Sequence, residues 1–107
     1  MLMERGVIPV LITKADRFEG QDNRNNISIR YLAQKYQLPL VDFDRLADTL
    51  PEHGIGYDGI HLTWYGPFEY ASPEPFERGY PMLNLATIMM LHKLHHTIQA
   101  EFPDETN

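Results

Sequence analysis

The chain has 107 residues, 43% of them hydrophobic, a formal net charge of −6 and no cysteine. That is enough for one domain and not two, and it excludes disulfides and thiolate metal sites. With no Lys/Arg cluster anywhere, the composition argues against nucleic acid or an anionic membrane surface as partner.

The start, MLMERGVIPVLIT, lacks a basic n-region and a small-residue cleavage site, so it reads as a strand and not as a signal peptide. No stretch is long enough to span a bilayer. Val7 to Thr13 is a nearly continuous β-branched and aliphatic run, the pattern of a strand buried on both faces of a parallel sheet. Pro9 places that strand at a sheet edge or at its own first residues. KADRFEGQDNRNN is loop by composition. ISIRYLAQKYQ then sets Ile29, Leu32, Ala33 and Tyr36 at helical spacing, with Asn25 or Asn26 available as N-cap.

Leu38 to Phe43 is a second apolar strand, and DRLADTL a short helix capped by Asp44. Strand, helix, strand within about forty residues is a βαβ unit, with a right-handed crossover expected. A Gly/Pro/aromatic stretch follows from Pro51 to Pro81. The last helix, capped by Asn84, carries Leu85, Ile88, Leu91, Leu94 and Ile98 along one face and ends before Pro103; residues 102–107 read as a frayed acidic tail. Doubly wound sheets carry roughly four to six strands. Residues 1–107 therefore read as the C-terminal portion of a domain.

The stretch YDGIHLTWYG puts Asp58 and His61 three positions apart. With seven Asp and five His in the chain a bare D-x-x-H is common. Taken alone, His61 is as readily a hydrogen-bonded loop histidine, and Asp58 a turn-former before Gly59. The surroundings add information. Ligands of open α/β sheets bind beyond the carboxyl ends of the strands. Three segments should reach that edge: the loop from Thr13 to Asn26, the strand end at Asp42 and Asp44, and the loop with Asp58 and His61.

That order of elements, closing on DGIHLTWYG, resembles the C-terminal half of SGNH (GDSL-like) hydrolases. The last block of these serine esterases is D-x-x-H, often D-G-x-H-L-T-x-x-G; Asp58, Gly59, His61, Leu62, Thr63 and Gly66 match it. The combination PLVDF…LPEHGIGYDGIHLT resembles a group of bacterial SGNH-like proteins more specifically. The resemblance implies an α/β, three-layer flavodoxin-like parallel sheet and acyl-enzyme chemistry without a cofactor. The substrate it implies is an ester or an O-acyl group on a small molecule, lipid or carbohydrate. His61 would be the general base and then the general acid, and Asp58 would orient it.

The family's G-D-S nucleophile turn, oxyanion-hole glycine and G-x-N-D asparagine have no counterpart here. The only serines, Ser28 and Ser72, lack the G-D-S context. The partner implied is thus the N-terminal half of the same domain. The alternative is a non-catalytic α/β fragment or binding module without a nucleophile.

Other candidates are weaker. His92 and His96, four apart on a helix, could both reach one metal ion. Lys93 stands where a zinc-protease helix has Glu, and no third ligand is identifiable, so no metal site is assigned. His95, near the Leu91/Ile98 face, reads as a partly buried core histidine, and Met89, Met90 and Leu91 as core filler. Trp64, Tyr65, Phe68, Tyr70, Phe76 and Tyr80 form either an aromatic pocket or a cover over the core. Trp64 and Lys14 are the candidate substrate contacts. Lys14 and Asp16 past the first strand read equally well as solvated loop charges.

Overall fold

The computed structural model describes residues 5–15, 21–64 and 72–101. Strands β1 (Leu11–Ile12) and β2 (Leu40–Val41) pair in parallel, Leu11 opposite Leu40 and Ile12 opposite Val41. Helix α1 (Arg24–Lys35) lies between them in the chain, so the expected βαβ unit is present and the fold is α/β in the coarse sense. The Leu11 N–H donates to the Pro39 carbonyl at 3.0 Å and the Thr13 N–H to the Val41 carbonyl at 3.1 Å. Helix α2 (Phe43–Leu46) follows β2 at once. Single 3₁₀ turns cover Ala47–Thr49, Pro51–Gly54 and Glu74–Glu77, and α3 (Gly79–Glu101) comes last.

Both strands are shorter than the apolar runs that hold them. Val7 and Ile8 are 46% and 50% exposed, not buried on two faces. The cause is that β1 has β2 as its single neighbour among the described residues, while Pro9 has no N–H to give a ladder. The core that does form is small: Phe43, 1% exposed, with Ala15, Val41, Ala47 and Leu50.

Helix α1 begins at Arg24 with Asn23 at its N-cap position, ahead of Asn25 and Asn26. Asn26 does something the spacing could not show. It is buried, and it clamps the loop after β1 by accepting the Lys14 N–H at 2.7 Å and donating to the Lys14 carbonyl at 2.6 Å. Of the predicted apolar face only Ala33 is buried; Leu32 and Tyr36 are exposed.

Helix α3 starts five residues before Asn84, which stands exposed inside it. Pro81 falls in its first turn, where a missing N–H costs nothing. The residues packed on the core are Met82, Leu83, Ala86 and Met90; Ile88, Leu91 and Ile98 of the predicted stripe are exposed, as are Met89 and His95. This helix is apolar on more than one side, so spacing alone could not choose the face. An apolar groove of about 850 Å³ runs along it, lined by Val41, Leu46, Met82, Ala86 and Met89. No described helix is long and apolar enough to cross a membrane.

Asp44 is not an N-cap. That position is held by Asp42, and Asp44 lies inside α2 with its side chain 3% exposed. The Thr13 hydroxyl accepts the Asp44 N–H at 2.8 Å and donates to Asp42 Oδ1 at 2.8 Å. Arg30 reaches from α1 to both acids. Its Nε and Nη2 donate to Asp42 Oδ2 and Oδ1 at 3.0 and 2.8 Å, and Nη2 also donates to Asp44 Oδ2 at 2.9 Å. Asn23 Nδ2 adds a bond to Asp44 Oδ2 at 3.0 Å. Among the described residues no buried side-chain nitrogen or oxygen lacks a partner.

Removing Arg30 takes the guanidinium from buried Asp44 but leaves Asn23 and His53 bonded to it, so the cost is that of a lost hydrogen bond to a charged group, ~1.5–3 kcal/mol. Arg30→Met should lower the urea-unfolding free energy by about that much, and a loss below ~1 kcal/mol would show that Asp44 is matched without it. The Arg30 guanidinium also holds the Asp42 carboxyl below its usual range. Because the folded-state value is the lower one, this contribution is present above about pH 4 and lost as pH falls. The Arg30→Met chain should accordingly show a shallower loss of stability on acidification.

Candidate active site

The loop bearing Asp58 and His61 is tied off by backbone bonds. The Thr63 N–H donates to the Gly54 carbonyl and the Gly56 N–H to the His61 carbonyl, both at 2.8 Å, and Ile55 and Leu62 form an antiparallel bridge. At the tip the Gly59 N–H returns to the Gly56 carbonyl at 3.0 Å, with Gly59 at φ +73°. The reversal thus falls on a residue without a Cβ, as an Asp-Gly turn requires.

The Asp58 carboxylate then divides its work. Oδ1 accepts the N–H groups of Ile60 and His61, each at 3.0 Å, and Oδ2 meets His61 Nδ1 at 2.6 Å. A spacing of three suffices because one oxygen builds the turn that delivers the ring to the other. The same donors, first the Ile60 N–H, then the His61 ring and its N–H, bring the Asp58 carboxyl down to about 2. It is therefore a carboxylate at any ordinary pH. The His61 side chain is 72% exposed, and among the described residues its other nitrogen has no partner. An imidazole with a carboxylate on Nδ1 keeps the tautomer that leaves a lone pair on Nε2. Chemically, that is an oriented base.

Thr63 fixes the base of the loop to α3. Its Oγ1 accepts the Gly79 N–H at 2.7 Å and donates to the Gly54 carbonyl at 3.2 Å, while the Tyr80 N–H donates to the Thr63 carbonyl at 2.9 Å. There is no room for a side chain at this junction. A Cβ on Gly79 would run into the Gly54 carbonyl and lie 2.9 Å from Leu62 Cβ.

The strand edge meets this loop at Ile60 and Leu62, while Asp58 and His61 line neither of the two clefts found there. Lys14, just past β1, lines a cleft of about 260 Å³ together with Thr13, Phe43, Ile60 and Leu62. Trp64 is exposed and does not line it. A wider cleft of about 970 Å³ opens on the residues His53, Gly56, Tyr57, Gly59, Thr63 and Arg78. Asp16, Tyr65, Gly66, Phe68 and Tyr70 lie outside the described residues. Ser28 is exposed on α1, and Ser72 precedes the Glu74–Glu77 turn. The His92 and His96 rings meet edge to face at 4.5 Å, and no group of three potential ligands exists among the described residues.

His53 has a place that sequence reasoning missed. Its Nε2 lies 3.0 Å from Asp44 Oδ1 and its Nδ1 3.1 Å from Asp48 Oδ1. The one local signal was the pair Asp42 and Asp44 directly after an apolar strand, since two acids at a buried strand end call for cations.

No family model, curated protein or solved structure matches the chain. Its functional reading rests on this geometry and on the DGIHLT stretch. Gly79→Ala should cost ~1–3 kcal/mol in chemical denaturation, the range for forcing an extra methyl into a filled site. Full retention of stability would mean that the loop and α3 can part freely.

Proposed function

We propose that the chain is the C-terminal part of a serine ester hydrolase with a three-layer, SGNH-type sheet, and that it supplies the catalytic Asp58–His61 pair. The observation that carries this reading is the 2.6 Å contact between Asp58 Oδ2 and His61 Nδ1 beside an otherwise open ring. The nucleophilic serine and the oxyanion donors come from the N-terminal half of the same domain. The substrate is an ester or O-acyl group on a small molecule, lipid or carbohydrate.

The division of labour follows from the ring. His61 Nε2 takes the serine proton as the hydroxyl oxygen attacks the acyl carbon, and Asp58 stabilises the imidazolium that forms. The proton then passes to the departing alcohol oxygen as the tetrahedral intermediate collapses to the acyl-enzyme. Water, deprotonated by the same ring, attacks the acyl carbon and releases the acid with the serine restored. Among the described residues β1 has one neighbouring strand, and that flank with the exposed Val7, Ile8, Ile88, Met89 and Leu91 supports a surface that another part of the domain covers.

The test is to produce the chain with its upstream half and assay a generic aryl ester. The chain alone should be inactive, since groups that act as a unit lose almost everything when one is missing. In the complete protein His61→Ala should abolish nearly all turnover, and Asp58→Asn should leave about 10⁻⁴ of it, as in comparable triads. Parental turnover in the His61→Ala protein would place the base elsewhere. Absence of any turnover in the complete parental protein would favour the non-catalytic binding module.

A further inference from the structure

We infer that Asp58 is this chain's isomerisation-prone aspartate, a site of spontaneous isoaspartate formation that the hydrogen bonds of its own turn hold unreactive. The sequence has one Asp-Gly pair, Asp58–Gly59, and no Asn-Gly. Isomerisation starts when the backbone nitrogen of the following residue attacks the side-chain carboxyl carbon, and glycine, without a Cβ, hinders that approach least. The most labile aspartate is thus the one that meets His61 Nδ1. The chemistry does not rest on the proposed function; only its cost to turnover does.

The reaction balances with water alone. The Gly59 nitrogen bonds to Asp58 Cγ and gives up its proton, the carboxyl gives up hydroxide, and one water leaves. The five-membered succinimide so formed then takes water back. Addition at Cγ restores aspartate. Addition at the former main-chain carbonyl leaves the backbone running through Cβ and Cγ, with the carboxylate borne directly on Cα. That carboxylate is one carbon short of the position from which it serves both the turn and the His61 ring.

The closed turn opposes the first bond from both sides. The attacking nitrogen is occupied, its N–H donating to the Gly56 carbonyl at 3.0 Å. Both carboxyl oxygens are occupied too: Oδ1 accepts the Ile60 and His61 N–H groups at 3.0 Å, and Oδ2 meets the ring at 2.6 Å. One of these oxygens must depart with the water, and its hydrogen bonds go with it. The same donors bring the carboxyl down to about 2, and an ionised carboxylate has no hydroxide to lose until it is protonated. What the turn lacks is burial. The Asp58 side chain is 40% exposed, and among the described residues a Cβ on Gly59 would meet nothing within 4 Å. Exposed loops of this kind open at low free energy, so the protection lasts only as long as the bonds.

Peptide mapping with electron-transfer fragmentation distinguishes aspartate from isoaspartate. It tests the inference on the full chain kept for weeks in mildly acidic buffer, folded and in guanidinium chloride. In denaturant isoaspartate should accumulate at residue 58 ahead of every other aspartate, and Gly59→Ala should suppress it there. In the folded chain it should form at least about tenfold more slowly, the effect of even a small opening free energy. His61→Ala, which takes the ring from Oδ2, should raise the folded rate severalfold. Equal rates at residue 58 in the folded and unfolded chain would overturn the inference. So would earlier isomerisation at another aspartate of the unfolded chain, or a parental rate in folded His61→Ala. If that variant does not fold, the ratio of the two parental rates decides alone. None of these readouts is turnover, so failure of the esterase reading and failure of this inference are told apart.

Discussion

A carboxylate buried at the end of β2 must be matched, and matching Asp44 arranges much of the molecule. Arg30 brings α1 onto the strand end, Thr13 ties the end of β1 to the first turn of α2, and His53 brings the chain back from the turn that follows. Each partner lies on a different segment. The βαβ unit and the loop beyond it are therefore joined at the carboxyl edge of the strands by charge and hydrogen bonds as much as by the few buried apolar side chains. Removing one member of such a cluster is costly because the others stay charged and dry.

The Asp58–His61 contact is different in kind. It is exposed, it is built from residues three apart, and solvent screens it, so it contributes little to holding the fold. Its significance is orientation. The turn at Gly59, the bridge at Ile55 and Leu62, and the Thr63–Gly79 junction together fix a ring that would otherwise rotate freely. A rigid support beneath an exposed, oriented base is what general-base chemistry requires.

What the sequence made legible was local. Two apolar runs around a helical one gave the parallel pair, and an Asp-Gly turn followed by histidine gave the contact now seen between Asp58 and His61. What stayed hidden depended on distant partners. Asp44 passes for an N-cap until Arg30, fourteen residues earlier in the chain, is seen beside it. The face of α3 that meets the core could not be chosen because apolar residues surround the helix. His53 gave no periodic or motif signal, since its two acids come from packing and not from spacing.

The most direct measurement is a crystal structure of this chain joined to the proposed N-terminal half and inactivated by a phosphonate ester. The expected result is phosphorus bonded to a serine contributed by the N-terminal half, with that oxygen about 3 Å from His61 Nε2. An adduct on Ser28 or Ser72, or on a serine beyond the reach of His61, would contradict the assignment of His61 as the base.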